Sequence, residues 1–442
     1  MRPLSAIFPP RDRPRAAGGG RGRQVNGCPD TGRIWGGLVR DHHLTPLDDL
    51  ASSVIEHVRP LGYSEVMIYV ASLRPLYLVP LPGQCDAYGE PLNRVAIDTT
   101  LAGRAYRNLE IVQARPAVDP YVAEAAEPLG SEGPRRLWVP MLNGTERVGV
   151  LGVTVPVVDE ATEQIATELG SLVALLVVSK RAYSDAFARL VRTEEMHLSA
   201  EMLWTLLPIR NFATDTMTVS AALEPAYHVG GDAFDYALDG VTLHLGIFDA
   251  MGHDTSAGLT AAIALSSYRN NRRRRRAGLL EVSDAIDEAI AGEFGTSRFA
   301  TGVLADLDLR TGWLTWVNRG HPPPLVLRQG RVASVLDSPP DTPMGLRLGP
   351  AAALARRQLE PGDRLLFYTD GIVEAQTPDG ERFGLDRFAD FVIRREIDGV
   401  SAPETLRRLI HSILVHQRGQ LQDDATVLLV EWRTERHYQL TM

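Results

Sequence analysis

The sequence predicts an α+β protein with antiparallel sheets, and two observations carry that expectation. Turn signals repeatedly join neighbouring apolar runs in the C-terminal half. Asp239-Gly240 stands between FDYAL and VTLHLGIFDA, Arg310-Thr311-Gly312 between FATGVLADLDL and GWLTWVN, and Gln329-Gly330 between PLVLR and RVASVLD. Consecutive hairpins build antiparallel sheets. The helix-period segments TSAGLTAAIALSSY, LEVSDAIDEAIAGEF, LDRFADFVIRRE and APETLRRLIHSILVH stand apart from those strands. Such segregation gives a layered α+β sandwich and excludes a doubly wound parallel sheet.

Composition narrows the class. With 442 residues, 44% of them apolar, the chain can bury two or three cores. A net charge of −9 argues against nucleic acid as the main partner. Cys28 and Cys85 are the only cysteines, which excludes a disulfide framework and a Cys-rich zinc site and fits a cytoplasmic protein. Lys180 is the only lysine, so no Gly-Lys-Ser/Thr phosphate loop exists. The longest apolar run, GSLVALLVV, is about half of a membrane span. The Arg-rich start has no apolar core of a signal peptide.

Along the chain, residues 1–40 are rich in Arg, Gly and Pro and read as a disordered tail. Residues 41–182 read as a mixed α+β domain. LDDLASSVIEHVRPLG has helical spacing, EVMIYVASL is strand-like, and LWVPMLNGTERVGVLGVTVP is a hairpin around Asn143-Gly144. ATEQIATELGSLVALLVVSKRAY closes it as a long helix. Residues 183–207 continue as a helical linker, with Phe187, Leu190, Val191, Leu198, Met202 and Leu206 on one face. That face could pack as core or carry a dimeric coiled coil, giving a homodimer. Pro208 ends it, and residues 208–434 read as one further domain.

The stretch VGGDAFD, Val229 to Asp235, has a phosphate-loop look, but it lacks the third glycine and a following helix of a dinucleotide fold. With Asp239-Gly240 as the hairpin turn, Gly230 lies opposite Asp249. Asp232 and Asp249 then become diagonal neighbours on one face, with Cβ atoms roughly 7 Å apart. Two carboxylates so placed repel unless cations intervene, and oxygen ligands suit Mg²⁺ or Mn²⁺. LLFYTDG and QLQDDATVLLV put Asp370 and Asp423 at strand ends, where they can wall the same cleft. Asp235 points to the opposite face and reads as structural.

The C-terminal part holds, in order from about Glu201 to Trp432, the motifs MLWTLLP, PAYHVGGDAFD, FDAMGHD, RGHPPPLVL, PMGL, PGDRLLFYTDGIVEA and DDATVLLV. In kind and order these resemble the SpoIIE/RsbU-type branch of the PP2C-like (PPM) serine/threonine phosphatases. LAGRAYRNLEIVQ and VPMLNGTERVGVLGV resemble the helix-to-strand segment and central hairpin of a GAF domain, a family that often binds small ligands. The resemblance implies a PP2C-like αββα antiparallel sandwich preceded by a GAF-like sensor domain. It implies hydrolysis of phosphoserine or phosphothreonine on a regulatory protein, such as an anti-sigma-factor antagonist, by water activated between two Mn²⁺ or Mg²⁺ ions. Asp232 and Asp249 become the catalytic acids. They hold metal together with the Ala250 carbonyl, Asp370 and Asp423. His253, Asp254, His321 and Asp424 become supporting or substrate-contact candidates. Asp254 departs from the family's glycine in GHG, Ala233 from an aromatic, and SAGLTAA from the usual helix start. The Arg272–Arg276 run reads as a solvated helix end. An inactive sensor or scaffold that kept the fold is the alternative, against which the four intact acids stand.

Overall fold

The structure, a computed structural model, describes residues 31–433 except 44, 87, 117–132, 226, 229, 275–276, 340, 349–351, 419–420 and 422. Residues 1–30 of the expected tail lie outside the described residues. Residues 31–40, expected in that tail, instead belong to helix α1 (Thr31–Asp41), with Leu38 buried.

An N-terminal antiparallel sheet follows. Its strands are β1 (Ser64–Ala71), β2 (Tyr77–Pro80), β3 (Val95–Ala96), β4 (Val112–Ala114), β5 (Arg135–Asn143) and β6 (Glu146–Val155), in the order β3-β2-β1-β6-β5-β4. Alternation sorts its faces. Ile68, Val70, Val139 and Leu151 pack against helices α2 (Leu50–Val58) and α4 (Glu160–Arg181), while Tyr69, Trp138 and Val150 pack against α3 (Leu101–Asn108). Among the described residues, α4 alone is long and apolar enough to cross a membrane, and it lies against β5 and β6.

The linker is not one helix. It breaks into α5 (Asp185–Val191) and α6 (Leu198–Leu206). Tertiary bonds outweigh helical propensity between them: Thr193 N–H donates to the Tyr227 hydroxyl, His197 N–H to the Tyr227 carbonyl, and Leu73 N–H to the Val191 carbonyl. No helix of coiled-coil length remains there.

The C-terminal part is an αββα sandwich of two antiparallel sheets. Strands β7 (Asn211–Ala213), β8 (Met217–Glu224), β13 (Leu325–Arg328), β14 (Arg331–Val335), β16 (Arg364–Tyr368) and β17 (Ala425–Trp432) form one, ordered β14-β13-β16-β17-β8-β7. Strands β9 (Asp232–Asp239), β10 (Thr242–Ala250), β11 (Ala300–Asp308), β12 (Trp313–Arg319) and β15 (Ala355–Gln358) form the other, ordered β15-β12-β11-β10-β9. Leu365, Phe367, Leu428 and Val430 face inward against the second sheet. Their neighbours Leu366, Tyr368, Val427 and Leu429 face out. The outward set meets helices α9 (Asp370–Val373), α10 (Leu385–Ile397) and α11 (Ala402–His416). Helices α7 (Thr255–Arg272) and α8 (Leu279–Phe294) cover the second sheet, with Tyr268 edge-on to Phe248.

The β9–β10 register differs from the expected one. Asp239 pairs with Thr242, so the two-residue turn is Gly240-Val241. Gly240 supplies the positive φ, +58°, that the first turn position needs, and Asp239 does not. Asp232 therefore faces Asp249 directly, not diagonally.

Candidate metal centre

Asp232 opens β9 and Asp249 sits near the end of β10, so both leave the sheet at one edge and on one face. Directly opposed residues put their Cβ atoms roughly 4.5–5.5 Å apart. That face looks inward, toward the sheet that carries β16 and β17. Asp370 begins α9 just after β16, and Asp423 and Asp424 precede β17. The pattern of strand-end acids thus collects at one mouth between the sheets.

Two backbone approaches make the mouth possible. A Cβ on Gly230 would lie 2.5 Å from the His253 carbonyl oxygen, and one on Gly231 would lie 2.4 Å from that of Ala250. Both glycines are needed for close approach between backbone segments, not for a left-handed φ. A Cβ on Gly371 would lie 1.9 Å from the Asp424 carbonyl oxygen, which explains the glycine after Asp370. The glycine amides are already used. Gly230, Gly231 and Asp232 N–H all donate to Asp424 Oδ2, at 2.8, 2.6 and 3.2 Å. Asp424 thereby pins the entrance of β9 to the entrance of β17.

The acids at the mouth repel one another. Burial, then Asp249, then Asp424 push the Asp232 carboxyl well above its ordinary range. Asp249 is pushed up to about 7 by burial and by Asp370, Asp423 and Asp424. Asp370 is raised by burial, Asp423 and Glu374. Burial also raises Asp424, against the three backbone donors. Among the described residues no arginine or lysine pairs with Asp232, Asp249 or Asp370, and no three His, Cys, Asp or Glu side chains converge closely enough to hold a metal ion as they stand. An all-oxygen set with unbalanced negative charge fits a hard divalent cation.

The remaining candidates separate by surroundings. His321 is buried, with Nδ1 at 2.9 Å from Thr301 Oγ1 and Nε2 at 3.1 Å from the Tyr368 carbonyl. Burial lowers its pKa to about 4, so it is a neutral tie between β11 and β16. His253 is exposed. Asp254 caps α7 by accepting from Ala257 N–H at 2.8 Å and pairs with Arg298 at 3.0 Å. Its departure from glycine is occupied by a cap and an ion pair. Asp235 lies on the far face, buried between Arg269 and Arg272 at 2.7 and 3.1 Å. Arg272 is consequently not a solvated helix end. Arg273 and Arg274 are exposed, and residues 275–276 lie outside the described residues.

Sequence reasoning missed Thr369. Its hydroxyl donates to Asp232 Oδ2 at 2.7 Å and accepts from Thr426 N–H at 2.9 Å. Its place just before Asp370 at a strand end was the available signal. Arg298 was also missed, because nothing local marks it.

Residues 239–433 match the family model of Stage II sporulation protein E (SpoIIE). Phosphoserine phosphatase RsbU of Bacillus subtilis is 24% identical over 246 residues, covering 53% of this chain and 69% of that protein. Protein IcfG of Synechocystis is 24% identical over 269 residues, and the match spans only 41% of its length. Among solved structures, the SiaA-PP2C domain of Pseudomonas aeruginosa is 18% identical with a TM-score of 0.45, covering 54% of this chain and 94% of that one. The PP2C phosphatase domain of SpoIIE from Bacillus subtilis is 19% identical with a TM-score of 0.41, covering 50% and 65%. The C-terminal part of the chain is thus similar to SpoIIE and to the phosphatase RsbU.

Proposed function

We propose that the chain is a metal-dependent protein serine/threonine phosphatase acting on a phosphorylated regulatory protein of the anti-sigma-factor-antagonist class. The observation that carries this reading is the directly opposed pair Asp232 and Asp249, joined at one mouth by Asp370 and Asp423, with no arginine or lysine paired to Asp232, Asp249 or Asp370 among the described residues. Divalent cations such as Mn²⁺ or Mg²⁺ would supply Lewis acidity and an activated water there. The chain's own work is to hold and orient. Asp232 and Asp249 would be the central ligands, and Asp370, Asp423 and the Ala250 carbonyl would complete the set. Thr369 fixes the Asp232 carboxylate, and Asp424 fixes the loop that presents it. The test is Mn²⁺-dependent hydrolysis of p-nitrophenyl phosphate by wild type and Asp249→Asn; equal activity would remove the enzyme reading.

The N-terminal part serves in this proposal as a GAF-like sensor in a cytoplasmic signalling protein. Direct contacts support it: Arg147 Nη2 donates to Ser401 Oγ at 2.8 Å, and Arg74 pairs with Glu224 at 2.9 Å. Turnover of the full chain should differ from that of a fragment beginning near Glu201. Equal turnover under every ligand and partner condition would remove the case for control. Comparing phosphoproteomes with and without the enzyme would identify the substrate.

A further inference from the structure

A cavity of ≈ 90 Å³ lies where the N-terminal part meets β8 and α11. Its charge is unbalanced. Glu404 is shared by three guanidinium groups: Arg408 at 2.7 Å, Arg407 at 2.9 Å and Arg147 at 3.6 Å. Asp98 is shared by Arg407 and Arg107, at 2.6 and 3.5 Å. Glu224 and Glu146 are taken by Arg74 and Arg181. Arg210 lines the cavity with no carboxylate partner among the described residues. It donates to the Leu73 carbonyl at 2.9 Å and stacks over Trp204 at 5.6 Å.

Two further groups point to a ligand. The Arg147 side chain is 5% exposed, yet its one hydrogen bond among the described residues goes to a neutral hydroxyl, Ser401 Oγ. Burial lowers its pKa, so its charge is under-compensated. Tyr106 also lines the cavity, is buried, and its hydroxyl makes no hydrogen bond among the described residues. Arg147, Arg210 and Arg407 all act electrostatically on that hydroxyl. Buried polar groups are normally satisfied, and buried charges are normally paired.

We propose that this cavity binds a small oxyanion, a phosphate or a short carboxylate, held by Arg147, Arg210 and the Tyr106 hydroxyl. At about 10–15 Å³ per water, the space suits an anion of a few heavy atoms and is too small for a whole nucleotide. Guanidinium forks match both phosphate and carboxylate. Arg147 and Tyr106 come from the N-terminal part and Arg210 from the entry to β7, so the anion bridges the two parts of the chain. The inference is independent of the acid cluster at the other site.

The test is calorimetric titration of the full-length protein in EDTA, with inorganic phosphate and with malonate as separate probes. Saturable binding of either probe is expected, and whichever probe binds tighter identifies the source. Asp249→Asn should bind as wild type does, which separates this site from the acid cluster. Arg210→Gln should weaken binding at least about tenfold, the effect of losing a charge-assisted hydrogen bond. Arg147→Gln should do the same. Because Arg147 is buried and its replacement also breaks an ion pair with Glu404, Tyr106→Phe serves as the second, structurally milder variant and should weaken binding several-fold. Absence of saturable binding for both probes, or binding unchanged in Arg210→Gln and Tyr106→Phe, overturns the proposal.

Discussion

Replacing Asp249 with Asn should stabilise the metal-free protein while removing its metal response. Asp249 has an ordinary pKa near 3.8 and is pushed up to about 7 in the fold by burial and by Asp370, Asp423 and Asp424. Because the folded pKa is the higher one, the folded state holds more protons than the unfolded state between those values. Stability therefore falls as pH rises from about 4 to about 7, and the full penalty is present above that window. At 1.36 kcal/mol per unit, the shift corresponds to at most about 4 kcal/mol. Asp423 lies on the exposed side of the site, so water screens part of the repulsion and about 2 kcal/mol is the working lower figure. An amide has the same shape and no charge. In EDTA at pH 8, Asp249→Asn should therefore melt roughly 5–10 °C above wild type. At pH 4 the gain should vanish, because wild-type Asp249 is then protonated. Adding Mn²⁺ at pH 8 should raise the wild-type melting temperature and leave the variant's unchanged. Thermal melts at the two pH values, with and without metal, decide the matter. A variant no more stable than wild type at pH 8, or equally favoured at both pH values, would refute the reasoning.

Other perturbations follow from the same geometry. Gly231→Ala would drive a methyl group to within 2.4 Å of the Ala250 carbonyl oxygen, and displacement of that oxygen by about 1 Å should cost on the order of 10²-fold in Mn²⁺-dependent turnover. A circular dichroism spectrum like that of wild type would show that the fold survives. Asp235→Ala removes the acid between Arg269 and Arg272 and should destabilise the C-terminal part by about 3–5 kcal/mol in urea unfolding. Turnover of its folded fraction should be unaffected, since Asp235 faces away from the mouth. His321 is kept neutral by burial, with its pKa lowered from 6.5 to about 4, so the folded state refuses a proton that the unfolded state takes. Stability should fall by about 3 kcal/mol as pH drops from 6.5 to 4, and His321→Asn should lose that part of the dependence in urea midpoints measured at both pH values.

What the sequence discloses is local. Alternating strands such as LLFYTDG and the glycine turns fix elements and faces, because side-chain direction has period two and turns demand particular residues. The same-face placement of Asp232 and Asp249 was legible for that reason, and a turn misplaced by one residue left it intact. The turn position itself was not legible, since Asp-Gly and Gly-Val both suit a short hairpin. The broken linker was hidden because apolar spacing across Tyr183–Leu207 favours one helix. Tyr227, distant in sequence, supplies the bonds that interrupt it. The partners of Asp424 and Thr369 were hidden for the same reason, being amides and carboxylates from another sheet. The pairing of Arg272 with Asp235 also joins groups far apart in the chain.

The glycine pair in VGGDAFD has a purpose that its phosphate-loop appearance conceals. Its amides cannot cradle a phosphate, because Asp424 already takes all three N–H groups of Gly230, Gly231 and Asp232. Freeing them would leave Asp424 buried and charged without donors, which costs more than a new hydrogen bond returns. The mouth beside them gathers four acids, and an approaching phosphate monoester would meet repulsion from those that are ionised. Under the proposed function, attraction for a phosphoryl group would come from cations seated on those carboxylates. The glycines contribute by lack of bulk: they let the loop close on the Ala250 and His253 carbonyls, and that closure sets Asp232 against Asp249.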